Sequence, residues 1–158
     1  YKDGKVKAIG ISNFQGEKLE KLLAECEIKP HVIQLEAHPY YTQDIVRERL
    51  QQYGTVLMAW YPLGSGNAGL IREEIFTQLA EKYDKTPVQI ILRWHTQMGF
   101  VAIPGSKSEN HIKENIDIFD FELTKEEMEQ IAEINEKITV DYIGSYFCYF
   151  IDLLWKCI

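Results

Sequence analysis

Four short apolar runs, Val6–Ile11, Val32–Glu36, Val56–Trp60 and Phe100–Ile103, recur along the chain, each bounded by turn residues and parted from the next by segments of helical periodicity. This alternation constrains the fold more than any other feature. Strands separated by helices pair in parallel, because a parallel pair needs a crossover and that crossover is nearly always a right-handed helical one. The expected class is therefore α/β with a mostly parallel sheet.

The intervening helices carry recognisable signals. In GEKLEKLLAECEI, Leu19, Leu22, Leu23 and Cys26 fall at i, i+3, i+4 and i+7 and form one stripe for burial against the sheet. Thr42 is expected to cap TQDIVRERLQQYG, with Ile45, Arg49, Leu50 and Tyr53 on one side and Gly54 ending it. A Gly-rich loop, PLGSGNAG, precedes a helix expected from about Arg72 to Tyr83, with Ile75, Phe76, Leu79 and Ala80 inward. Thr86 and Pro87 start another helix as N-cap and N1, with Val88, Ile91, Leu92 and Trp94 as its apolar residues and Gly99 closing it. Ser108 caps a helix through about Ile116, and Thr124 with Glu127 makes a capping box for EEMEQIAEIN. An eight-unit barrel needs about 250 residues, so a chain of 158 residues is either a small open α/β sheet or half of a barrel.

Charge and cysteine content narrow the function. A net charge of −7 repels polyphosphate backbones and anionic lipid, which argues against nucleic acid or a membrane surface as partner. Cys26, Cys148 and Cys157 are odd in number and widely spaced, a pattern of neither a disulfide framework nor a zinc site, so a reducing cytoplasm is the default location. His31, His38, His95 and His111 lack ligand spacing, and no metal is expected. The opening residues, YKDGKVKAIG, show no signal or transit character and no starting Met.

Five ordered segments decide between the two architectures. KVKAIGISNF (5–14), VIQLEAHPYY (32–41), LMAWYPLGSG (57–66), TPVQIILRWHTQMGFVAIPGS (86–106) and HIKENIDIFDFELTKEEM (111–128) resemble, in order and spacing, the C-terminal half of the aldo-keto reductases. The resemblance implies about four βα units of a TIM-type (β/α)8 barrel over residues 1–138. The family's catalytic Asp, Tyr, Lys and His lie upstream of the matching segments, so no catalytic residue is assigned. His38 falls in the HPY segment rather than at the catalytic His position, and reads as a packed or loop-capping histidine.

What the resemblance does place here is the cofactor half of the site, at the C-terminal ends of the strands, where barrel enzymes work. Ser12, Asn13 and Gln34 correspond to the family's nicotinamide-carboxamide ligands, and Trp60 to the aromatic that stacks on the nicotinamide ring. Taken alone, Ser12 and Asn13 read as a helix cap before GEKLEKLL. Gln34 within an apolar strand is harder to dismiss, because a buried amide needs partners. Tyr61, Leu63 and Ser65 would line the pyrophosphate in a loop where glycine lets the main chain approach. Ser106 and Lys107 would reach a phosphate near the Ser108 helix N-terminus, with Glu114 and Asn115 beside the adenine. Many members carry Lys after the IP dipeptide and Arg six residues later to clamp the 2′-phosphate of NADP; here Gly105 and His111 stand there. NADP is expected, with NAD as an alternative.

The resemblance thus implies the C-terminal portion of an NAD(P)H-dependent oxidoreductase reducing a small carbonyl substrate to an alcohol, inactive as an isolated chain. The competing reading is a non-catalytic nucleotide-binding or interaction module. Residues 139–158 depart from the family as an atypical apolar tail: Tyr142 to Leu154, with Asp152 inside, falls short of the roughly 20 residues of a membrane span. A frameshifted or read-through end, a docking helix, and a cover for apolar surface all remain open as its origin. A half-barrel also exposes two strand edges, so self-association is expected.

Overall fold

The computed structural model describes residues 1–64 and 68–135. Four parallel strands stand side by side in chain order: β1 (Gly10–Ser12), β2 (Val32–Glu36), β3 (Val56–Trp60) and β4 (Val101–Ala102). The connections are α1 (Gly16–Glu25), α2 (Asp44–Gln51) and, after β3, α3 (Ala68–Ile71), α4 (Glu74–Tyr83) and α5 (Pro87–Gln97). After β4 come α6 (Glu109–Ile116) and a last described helix over 125–135.

Helices cover one face of the sheet. Ile33, Leu35, Leu57 and Ala59 are buried beneath them, packed with Leu19, Leu23, Val46, Leu50, Phe76, Ile91, Trp94 and Ile131. The residues between, Val32, Gln34, Glu36, Met58 and Trp60, are only partly covered, because the period-2 pleat turns them to the opposite face. In-register partners make the open face a grid, with Ser12, Gln34, Met58 and Val101 in one row and Glu36 beside Trp60 in the next.

The helix signals were largely sound. Thr86 and Gln89 exchange hydrogen bonds in a capping box at α5, with Pro87 at its first position; Ser108 caps α6, and Thr124 and Glu127 cap the last helix reciprocally. Gly99, at φ +78°, follows the end of α5 in the left-handed conformation that glycine adopts without a Cβ clash.

Several boundaries need correction. β1 starts at Gly10 rather than Val6, because Ile9 spends its N–H on His31 Nδ1 and its carbonyl on the His31 and Val32 N–H groups. β4 is confined to Val101–Ala102, since Phe100 N–H turns back to His95 O, and Pro104 has no N–H to continue the ladder. Thr42 does not cap α2: Gln43 is the N-cap, at φ +58°, and the Thr42 hydroxyl donates to Asp44. That start sets the helix phase so that Val46 and Leu50 point inward while Ile45 is 85% exposed. The helix expected from Arg72 begins at Glu74, after the separate short turn of α3. The apolar tail, 139–158, lies outside the described residues.

Candidate functional site

Polar side chains converge at the C-terminal ends of β1, β2 and β3. Asn13 follows β1 directly; its N–H donates to Gln34 O (3.0 Å), and it sits at φ +58°, a conformation in which asparagine is several-fold enriched. Its Oδ1 accepts from the Trp60 indole N–H at 3.1 Å, so a residue of β1's end and the last residue of β3 are joined across β2. Gln34 lies beside Ser12 in register and donates its Nε2–H to Met58 Sδ at 3.3 Å. Neither Ser12 nor Asn13 caps α1, whose N-cap is Gln15 and which receives no side-chain cap. The helix-cap explanation for the pair therefore falls away.

Beyond Trp60 the chain turns sharply. Tyr61 is at φ +49°, Gly64 at φ +67°, and Gly64 N–H closes the turn on Tyr61 O at 2.8 Å. Leu63 packs against the core, while Tyr61 is exposed with its ring edge-on to Trp60. Ser65 lies outside the described residues.

The second expected cluster forms at the α6 N-terminus. Ser106 Oγ accepts from Ser108 N–H (3.1 Å), Ser108 Oγ accepts from His111 N–H (3.5 Å), and Lys107 and His111 are exposed around this turn. Glu114 and Asn115 follow on α6, Asn115 on the wall of a cavity of about 600 Å³ shared with Leu92, Val101, Pro104 and Ile116. A second cavity, of about 560 Å³, lies near the N-terminal ends of the strands, between α2, Val56 and Phe100. Neither is lined by Ser12, Asn13, Gln34 or Trp60, so the polar convergence at the strand ends lies apart from both cavities.

The turn after β2 contributes groups that sequence reasoning did not assign. His38 is buried, its Nε2 3.3 Å from Glu36 Oε1, while its Nδ1 has no hydrogen-bond partner. Burial pushes the His38 pKa down despite the Glu36 carboxylate, which leaves the ring neutral at pH 7. His95, fully buried on α5, has Nε2 3.1 Å from Ala37 O and Nδ1 2.8 Å from Ile91 O, and so ties α5 to the chain between Glu36 and His38. Burial lowers its pKa as well, against those two carbonyls. The Tyr40 hydroxyl donates to Glu73 Oε1 at 2.6 Å, anchoring the same turn to the start of α4; burial and that carboxylate raise the Tyr40 pKa. Gln15 bridges Tyr41 and Gln43, and Gln43 Nε2 reaches Glu36 O. The available signal was positional: His95 stands four residues after buried Ile91 on α5, on the face that carries the apolar stripe. Among the described residues no group of three or more His, Cys, Asp or Glu side chains is arranged to hold a metal ion, and no helix is long and apolar enough to cross a membrane.

Residues 1–136 match the model of the Aldo/keto reductase family, and the chain belongs to that family. Its described residues form about four βα units of the C-terminal half of a TIM-type (β/α)8 barrel. Glyoxal reductase of Bacillus subtilis is 51% identical over 136 residues, covering 86% of this chain and 49% of that protein. The 9,11-endoperoxide prostaglandin H2 reductase of Trypanosoma cruzi is 44% identical over 137 residues, covering 86% and 48%. Among solved structures, a mutant of Gox0644 in complex with NADPH superposes with a TM-score of 0.79 at 37% identity, over 84% of this chain and 48% of that one. The chain spans about half the length of the curated relatives it matches.

Proposed function

We propose that this chain supplies the NADP(H)-binding half of an aldo-keto reductase that reduces a small carbonyl compound to its alcohol. The observation that carries the reading is the junction of Asn13, Gln34 and Trp60 at the C-terminal ends of three adjacent strands. Two amides and an aromatic ring suit a flat heteroaromatic ring bearing a carboxamide. Ser12 and the two amides would hold the carboxamide, and Trp60 would cover one ring face and leave the other toward the substrate. The reduced nicotinamide, when bound, supplies the hydride. The turn of Tyr61, Leu63 and Ser65 would follow the pyrophosphate. Ser106, Lys107 and the α6 N-terminus would take the phosphate of the adenosine end, where backbone N–H groups and the helix dipole favour an anion, with His111, Glu114 and Asn115 around the base.

Gly105 and His111 lack the fixed charges of a strong 2′-phosphate clamp, so NADH is expected to bind as a weaker second cofactor. No proton donor is assigned: His38 is neutral, buried and turned to Glu36. The catalytic Asp, Tyr, Lys and His are proposed to come from the other half of the barrel. Titration calorimetry with NADPH tests the reading. The 158-residue chain is expected to bind NADPH, Gln34→Leu to weaken binding about tenfold, the worth of one hydrogen bond and an unpaired polar group, and glyoxal turnover to be absent. NADPH binding indifferent to Gln34→Leu would contradict the site; turnover by this chain alone would contradict the division of labour.

A further inference from the structure

Each of the two amides at the ends of β1 and β2 has one side engaged within the protein, and the two are engaged in opposite senses. An indole N–H can only donate, so the group that Trp60 meets on Asn13 at 3.1 Å is the carbonyl Oδ1, and the Nδ2 side of that amide is turned away from Trp60. A thioether sulfur carries no proton, so the group that meets Met58 Sδ at 3.3 Å is the Gln34 Nε2 side, and Oε1 is turned away from Met58. The two residues adjoin: Ser12 pairs in register with Gln34, and Asn13 N–H donates to Gln34 O. Asn13 therefore presents donors and Gln34 presents an acceptor.

We propose that Trp60 is a positioning residue that fixes this polarity, so that Asn13 donates to the carbonyl oxygen of the nicotinamide carboxamide and Gln34 accepts from its NH2 group. The inference rests on the cofactor reading above and deepens it. A primary amide is the one common substituent that offers an acceptor and a donor side by side, and a site of fixed complementary polarity admits it one way round. Trp60 contributes through its N–H as well as its ring, a role that phenylalanine does not fill.

Two isosteric substitutions of equal charge separate the roles. Asn13→Asp keeps an oxygen for Trp60 but loses the outward donor; Gln34→Glu keeps the outward acceptor and alters only the side facing Met58. Both are measured by titration calorimetry with NADPH and with the reduced 3-acetylpyridine analogue, which keeps the carbonyl and lacks the NH2. Asn13→Asp is expected to weaken NADPH about tenfold more than Gln34→Glu does, the worth of a hydrogen bond to a now unpaired partner. It should weaken the acetylpyridine analogue equally, whereas in the unaltered chain the analogue binds more weakly than NADPH for want of a donor to Gln34. Trp60→Phe leaves the Asn13 amide free to turn its Nδ2 side inward, so it should weaken NADPH more in the unaltered chain than in the Asn13→Asp chain, whose two carboxylate oxygens have no polarity to fix. A larger loss in Gln34→Glu, equal losses in the two variants, or a Trp60→Phe loss as large in the Asn13→Asp chain as in the unaltered chain would each overturn the inference while leaving the cofactor reading intact. Failure of the unaltered chain to bind NADPH would overturn both.

Discussion

The departure at the adenosine end gives the sharpest test of how this chain chooses its cofactor. A Cβ added at Gly105 meets no atom within 4 Å and the residue is exposed, so a lysine there is accommodated without rearrangement. His111 is likewise exposed, one turn into α6, and its backbone N–H bond to Ser108 does not depend on its side chain. Gly105→Lys with His111→Arg would place two fixed cations about the Ser106–Ser108 turn. A charge-assisted hydrogen bond to phosphate contributes about 1.5 to 3 kcal/mol when well formed and less when exposed, so the pair together is expected to favour NADPH over NADH by about 1 to 3 kcal/mol. That corresponds to roughly 5- to 150-fold in the ratio of dissociation constants. Parallel titrations with NADPH and NADH read the ratio, and raising the salt should shrink the gain because both cations are screened. An unchanged ratio, or equal tightening of both cofactors, would show that the 2′-phosphate lies elsewhere.

Further outcomes follow from the buried polar groups and the sheet edges. His38 and His95 have pKa values lowered from 6.5, first of all by burial. The unfolded chain therefore binds more protons below that pH, and stability, full above about 6.5, should fall as pH drops, by up to about 2.7 kcal/mol per unit where both groups contribute. Urea denaturation between pH 5 and 8 checks this, and a flat profile would mean that the two rings are not buried neutral. Glu127 accepts from Lys82 Nζ, Tyr83 OH and Thr124 N–H; these bonds outweigh its burial and hold its pKa below the ordinary carboxylate value. Glu127→Gln must turn an NH2 group toward one of those donors, for an expected loss of about 2 to 3 kcal/mol in chemical denaturation. The outer edges of β1 and β4 have no strand neighbour among the described residues, and Val56, Val101 and Ile103 are exposed; sedimentation should detect association of the isolated chain, and a monodisperse monomer would speak against open edges.

The strands and helices were legible where a local rule was strong. Val32–Glu36 and Val56–Trp60 were readable to the residue because apolar alternation and flanking turns coincide, and α5 because Thr86, Pro87 and Gly99 punctuate it. The misread ends had tertiary causes: His31 takes a ladder position at Ile9, and the left-handed Gln43 resets the phase of α2. Neither event has a signature in nearby residues. The family motifs singled out Ser12, Asn13, Gln34 and Trp60 as candidates, yet the indole bond to Asn13 joins residues 47 apart in sequence and became visible only with the strands side by side. The same holds for Tyr40 with Glu73, and for His95 with Ala37.

The central claim, that this half-barrel carries the cofactor-binding part of the site, is tested most directly by amide hydrogen exchange of the 158-residue chain with and without NADPH. Protection is expected in two separated stretches, residues 12–14 with 34–36 and 60–64 at the strand ends, and 105–115 around the α6 N-terminus, with α1 and α2 unchanged. Protection confined to the cavity between α2 and Phe100, or no ligand-dependent protection at all, would contradict the account.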